Sequence, residues 1–75
     1  MRTISEIAGE IESTWTNVSY AARPYLDAMH SLGSVRDYFG SDSADSVVIY
    51  FLSNAGAYRG DDAKRIKAEL KAMIK

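Results

Sequence analysis

Apolar residues near the start of the chain recur every three or four positions, which predicts an amphipathic helix. The residues that share this face are Ile4, Ile7, Ala8, Ile11 and Trp15. Thr3 and Glu6 have the spacing of a capping box, in which each side chain accepts a hydrogen bond from a free amide near the other residue. We therefore expect the first helix to begin at Thr3.

Two shorter helices are expected next. Pro24 suits the first turn of a helix, because the amide hydrogen that proline lacks has no intrahelical partner there. The apolar face of this second helix contains Tyr25, Leu26, Met29 and Leu32. Gly33 is a natural stop, and a third helix is predicted from Ser34 to Phe39, ended by Gly40.

Residues 43–55 are the main ambiguity of the chain. Residues 46–52 are rich in side chains that favour strands, and they fit a buried strand. A helix is favoured because Asp42 or Ser43 provides an N-cap and Gly56 provides a stop. In addition, no second convincing strand is present to pair with the first.

A final amphipathic helix is predicted from Asp61 to about Ile74. We expect Asp61 to cap it, and Asp62 to interact favourably with the positive end of the helix dipole. Its apolar arc contains Ala63, Ile66, Leu70, Met73 and Ile74. A separate arc contains Lys64, Lys67, Lys71 and Lys75. Asp62 and Glu69 are spaced to pair with Arg65, which leaves the four lysines without an acidic partner within this helix.

These elements predict an all-α fold, a compact small bundle of four to five helices that forms one domain over residues 1–75. The expected core is Ile4, Ile7, Ile11, Trp15, Leu26, Met29, Leu32, Phe39, Val48, Phe51, Leu52, Ile66, Leu70 and Met73. The chain contains no cysteine, so disulfides and thiolate metal sites are excluded. Because His30 is the only histidine, we also expect no metal and no cofactor.

The hydropathy pattern gives no sign of a membrane segment. The N-terminal residues lack the unbroken apolar run of a signal peptide. The longest apolar run, residues 47–52, is far shorter than the roughly 20 residues that a membrane span needs. We therefore expect a cytoplasmic protein that does not contact membranes.

Charge is distributed unevenly along the chain. Residues 59–75 contain six basic and three acidic side chains, a net charge of +3, whereas residues 1–58 contain three basic and seven acidic ones, a net charge of −4. The lysine arc therefore has three interpretations. It is a solvated face, a surface for phosphates or acidic proteins, or a face neutralised by Glu6, Glu10 or Asp45 from a neighbouring helix.

The two helices predicted over residues 43–55 and 61–74 invite comparison with a helix-turn-helix. Recognition helices usually present their N-terminal residues to base edges, where Asp61 and Asp62 would face phosphates. The overall charge of −1 is also unfavourable for a DNA-binding domain.

No set of reacting groups predicts catalysis. His30 is spaced to contact Asp27, but no serine is clearly placed as a nucleophile. Glu6 and Glu10 are typical of a solvated helix face rather than of an acid–base pair. We therefore expect that the protein is not an enzyme and has no small-molecule substrate.

Three tyrosines are the least explained by an inward face: Tyr20, Tyr50 and Tyr58. Exposed tyrosine is enriched in protein interfaces. These side chains therefore either form a contact patch or are partly buried at the edge of the core.

The segments 24–29, 48–55, 58–60 and 63–70 read PYLDAM, VIYFLSNA, YRG and AKRIKAEL. In these segments the chain resembles a group of short proteins found in phages and integrated elements of Gram-positive bacteria. The resemblance covers nearly the whole chain and implies a mobile-element origin and a cytoplasmic bacterial setting. Its members often carry Trp where Tyr58 stands, which implies a need for an aromatic ring there. It provides no catalytic residues.

Two hypotheses for function remain. In the first, the chain is a non-enzymatic interaction module that binds a protein partner or a second copy of itself. The expected binding residues are Lys64, Lys67, Lys71, Lys75, Tyr50 and Tyr58. In the second, the same lysines bind nucleic acid without sequence specificity.

Overall fold

The computed structural model describes residues 2–32, 38–39 and 42–74. Its elements are α1 (Ile4–Thr14), α2 (Arg23–Met29), β1 (Tyr38–Phe39), β2 (Asp42–Ser43), α3 (Ala44–Ser53) and α4 (Asp61–Ile74). The expected all-α class is confirmed, because β1 and β2 are only two residues long each. The radius of gyration is 10.9 Å, close to the roughly 11 Å of a compact domain of this length.

The first helix begins as its sequence predicts. Thr3 is the N-cap, and its hydroxyl accepts the Glu6 amide at 3.1 Å. The Glu6 carboxylate in turn accepts the Thr3 amide at 2.7 Å. This capping box fixes the start of α1, so that its apolar stripe is buried in the core.

The end of α2 differs from its prediction. Pro24 lies in the first turn, as expected, but the helix ends at Met29 rather than continuing to Leu32. Leu32 is nevertheless buried, and its carbonyl accepts the Ser5 amide at 2.9 Å. The chain therefore leaves the helix early and contacts the first turn of α1. The predicted stop at Gly33 lies outside the described residues.

The prediction of a third helix through Phe39 is wrong at its described end. Tyr38 pairs with Ser43 and Phe39 with Asp42 in an antiparallel bridge. Tyr and Phe favour extended backbone. Residues 34–37 and Gly40, which belong to the same prediction, lie outside the described part of the chain.

The ambiguous segment is helical. Ser43 caps α3, and its hydroxyl accepts the Ser46 amide at 3.3 Å. Helices α1 and α3 each pack against both α2 and α4. The core is formed by the buried face of each helix, and its largest fully buried side chain is Phe51.

Most of the predicted core is confirmed. Leu52 and Met73 are only partly buried against it, and the side chain of Phe39 lies outside the described part of the structure. Within residues 2–32, 38–39 and 42–74, no helix has the length and apolar character that crossing a bilayer requires.

Candidate interaction surface on the last helix

Helix α4 presents two different polar flanks because its large apolar side chains share one face. Ala63, Ile66 and Leu70 are buried against the bundle, as predicted. Asp61 is the first helical residue rather than the cap, and the Gly60 carbonyl accepts the Lys64 amide at 3.0 Å. The two flanks beside the apolar arc differ in whether their charged side chains form ion pairs with other described residues.

One flank, which we call the paired flank, consists of Asp62, Arg65 and Glu69. Arg65 bonds to Asp62 at 3.3 Å, as predicted, and also to Glu10 of α1. The predicted pairing of Glu69 with Arg65 is wrong. The Glu69 carboxylate instead accepts hydrogen bonds from Nη2 and Nε of Arg2, at 2.6 and 3.2 Å.

Two carboxylates of this network, Glu10 and Glu69, have lowered pKa values. Hydrogen bonds from Arg65 and then Arg2 lower the pKa of Glu10. The Arg2 guanidinium, which also donates to Glu10 at 2.5 Å, lowers the pKa of Glu69. Both acids are therefore ionised at neutral pH, and the paired flank is held against α1 and the N-terminal segment.

The other flank, which we call the basic flank, consists of Lys64, Lys67 and Lys71. Lys64 and Lys71 are exposed, and neither forms an ion pair with any residue that the structure describes. Lys75, the fourth lysine of the predicted arc, lies outside the described residues.

Lys67 has an internal role that its spacing did not predict. Its Nζ donates to the carbonyls of Ala55 and Tyr58, each at 2.7 Å, and lies 5.7 Å from the centre of the Tyr58 ring. Partial burial, and then the charges of Lys71 and Arg59, lower the pKa of Lys67. Two backbone oxygens thus hold this ammonium group, and it is not a free contact for a partner.

The interpretation in which acids from neighbouring helices neutralise the lysines is not supported for two of the three acids. Glu6 is engaged with Thr3 in the capping box. Glu10 binds the arginines Arg2 and Arg65. Both carboxylates therefore have other partners.

Of the two interpretations of Tyr58, the exposed contact residue is wrong, and the side chain is buried. Only 2 % of the residue is accessible. Its ring stacks on Trp15 with centroids 5.0 Å apart, and its hydroxyl lies 2.6 Å from that of Thr14. The aromatic ring at this position completes the core beside Trp15, so Tyr58 does not belong to an exposed contact surface.

Tyr50 and Tyr20 are exposed, as expected, with 49 % and 95 % of each residue accessible. The Tyr50 ring lies against Tyr25 of α2, with centroids 5.6 Å apart. Tyr50 belongs to α3, which packs against both α2 and α4.

The only histidine does not contact the acid that its spacing predicted. His30 Nε2 lies 3.2 Å from Glu12 of α1, whereas Asp27 binds Arg23 at 2.7 Å. Arg23 also binds Glu12 and lowers the pKa of that carboxyl. In the described part of the chain, no group of three or more acidic or histidine side chains is arranged to hold a metal ion.

Comparisons with known proteins found no match to a protein-family model, to a curated protein or to a solved structure.

Proposed function

We propose that this chain is a non-enzymatic interaction module that binds a protein partner through the basic flank of α4. The observation that carries the proposal is the difference between the two flanks of one helix. Every charged side chain of the paired flank has an opposite charge within the molecule. Lys64 and Lys71 have none among the described residues and extend into solvent.

An unbalanced pair of exposed cations on a rigid element provides a complementary surface for carboxylates. The element is rigid because its apolar face is buried and because Lys67 ties it to the turn before it. In this proposal Lys64 and Lys71 contact the partner, and Lys67 positions the turn. Tyr50, which is exposed on α3, is a further contact residue in this proposal.

The alternative is a non-specific nucleic-acid-binding protein that uses the same lysines. It is favoured by the absence of carboxylate partners for Lys64 and Lys71 within the described chain. It is disfavoured by the net charge of −1, which is unlike that of a typical nucleic-acid-binding domain.

We also propose that the protein is cytoplasmic and of phage or mobile-element origin. The segments quoted from α2, α3 and α4, which resemble short phage proteins of Gram-positive bacteria, support this setting. Under that proposal the partner is a protein of the bacterial host or of the same mobile element.

Affinity capture from a Gram-positive bacterial lysate tests the proposal. The bait is the full chain, and the comparison is a Lys64→Glu/Lys71→Glu variant, which leaves Lys67 and the core intact. We expect at least one protein that the natural chain enriches and the variant loses. Equal capture by both baits would remove the basic flank from the interface.

A nucleic-acid titration tests the alternative. Duplex and single-stranded DNA are added at about 50 and 200 mM salt, because phosphate binding by several cations weakens by orders of magnitude over this range. We expect no binding at the lower salt concentration. Tight, salt-sensitive binding that Lys64→Glu/Lys71→Glu abolishes would instead establish nucleic acid as the ligand.

A further inference from the structure

Lys64 and Lys71 have a spacing that restricts what binds them. They are seven residues apart on α4, so they share a face and lie about 10 Å apart along the helix axis. Ala68 lies between them on the same side and is exposed. Because its side chain is small, a partner can approach the helix between the two ammonium groups.

Arg59 extends this positive surface beyond the lysines. It is exposed, and its Nε reaches the Gly56 carbonyl at 3.4 Å in the turn whose other carbonyls Lys67 binds. Its charge, like that of Lys71, is near enough to Lys67 to lower the pKa of that lysine. We call Arg59, Lys64 and Lys71 the basic surface.

A helix suits this surface better than an extended segment does. Strand addition needs an exposed sheet edge with free amides and carbonyls, whereas the backbone of α4 is hydrogen-bonded within the helix. In a partner helix that lies along α4, side chains seven residues apart are separated by the same distance as Lys64 and Lys71. This is because both helices rise by the same distance per residue.

A second copy of the chain is a poor source of the acids. Asp62 and Glu69 are two acids on a described helix that have the same seven-residue spacing. They are already bound, Asp62 to Arg65 and Glu69 to Arg2. A second copy would have to break these contacts to offer its carboxylates.

We propose that the partner presents an acidic helix with two carboxylates seven residues apart, which pair with Lys64 and Lys71 while Arg59 binds a third acid. This inference rests on the proposed function and specifies the chemistry of its partner. It adds Arg59, which the sequence hypothesis omitted, to the binding residues.

Model peptides test the inference. Two helical peptides of the same composition carry a pair of glutamates either seven residues apart, on one face, or nine residues apart, on opposite faces. Each is titrated into the isotopically labelled full chain, and amide chemical shifts are followed by NMR. We expect the same-face peptide to bind more tightly and to shift the amides near the basic surface.

Matched variants identify the contacts. Lys71→Gln and Arg65→Gln each remove one positive charge from an exposed side chain of α4, but Arg65 belongs to the paired flank. We expect Lys64→Gln, Lys71→Gln and Arg59→Gln each to weaken peptide binding roughly threefold, as loss of one exposed ion pair does. Arg65→Gln is expected to leave binding unchanged.

Equal binding of the two peptides, or an equal loss in Arg65→Gln and Lys71→Gln, would overturn the inference. Stronger binding of duplex DNA than of the same-face peptide would also overturn it. These results are distinct from failure of the proposed function, which is decided by lysine-dependent capture from the lysate. If capture from the lysate depends on Lys64 and Lys71 but the two peptides bind equally, the proposed function stands. Only the inference that the partner presents an acidic helix is then overturned.

Discussion

Lys67 has a structural role rather than a role in the binding surface, because its ammonium group binds backbone carbonyls. The helical wheel places it with Lys64 and Lys71, but its ammonium group satisfies the carbonyls of Ala55 and Tyr58. These carbonyls lie after the end of α3, where no helical amide is available to them. The lysine therefore joins the end of one helix to the middle of the next.

Replacing Lys67 with methionine keeps most of the side-chain volume and removes the donor. We expect Lys67→Met to lower the free energy of unfolding by about 1 to 2 kcal/mol, because the Tyr58 carbonyl loses its ammonium donor and the Ala55 carbonyl keeps only the Tyr58 amide. Lys71→Met, the same change at an exposed position one turn later, is expected to have no measurable effect. Urea denaturation followed by Trp15 fluorescence measures both. Equal stability of the two variants would contradict the role given to Lys67.

At the scale of elements, the junction before α4 depends on a glycine. Gly60 has a φ of 108°, a conformation that side-chain-bearing residues rarely adopt. Its carbonyl accepts the Lys64 amide and so begins the helix. We expect Gly60→Ala to destabilise the protein by about 1 to 2 kcal/mol through backbone strain.

Gly56 provides the control for this prediction. It lies in the same connection, has no neighbouring atom within 4 Å of an added Cβ, and does not have a positive φ. We expect Gly56→Ala to be neutral or slightly stabilising, because alanine restricts the unfolded chain. Thermal unfolding of the two variants under one condition compares them. A Gly60→Ala variant as stable as Gly56→Ala would show that the helix start tolerates a different backbone conformation.

The features that sequence predicts best are those encoded within one helix. The Thr3–Glu6 capping box, the Ser43 cap and the apolar face of α4 depend on residues three or four positions apart, and the structure contains all three. In contrast, the pairing of Tyr38 with Ser43 is a contact between two strands, which the three- or four-residue spacing of a helix does not encode.

The same limit applies to the candidate site. The spacing of Glu69 and Arg65 fits an ion pair, yet Glu69 binds Arg2, which is 67 residues away in sequence. Likewise, the burial of Tyr58 depends on the position of Trp15. Local spacing therefore grouped Lys64, Lys67 and Lys71 on one face but did not reveal the contacts that remove Lys67 and Tyr58 from the surface.

At the scale of the whole molecule, carboxylates of α1 form ion pairs with arginines from three other segments. Glu10 binds Arg65 of α4 and Arg2 of the N-terminal segment. Glu12 binds Arg23 of α2. Helix α1 therefore connects elements that are distant in sequence through carboxylates that must be ionised.

The acid response of stability follows from these contacts. The pKa values of Glu10, Glu12 and Glu69 are all lowered in the folded protein from 4.5, in each case chiefly by hydrogen bonds from arginine. A lowered pKa means that the unfolded chain binds protons first as the pH falls. The stabilisation is therefore complete above about pH 4.5 and is lost as the pH falls through the lower pKa values of the folded state.

We expect the midpoint of thermal unfolding to be nearly constant between about pH 7 and 5.5 and to fall below about pH 4.5. A Glu12→Gln/Glu69→Gln variant isolates the cause, because glutamine preserves the side-chain length but does not titrate. It should unfold at a lower temperature at pH 7 and lose less stability on acidification than the natural chain. If both proteins lose stability equally between pH 5 and 3, carboxylates other than Glu12 and Glu69 control the acid transition, and the contacts of these two acids with Arg23 and Arg2 do not account for it.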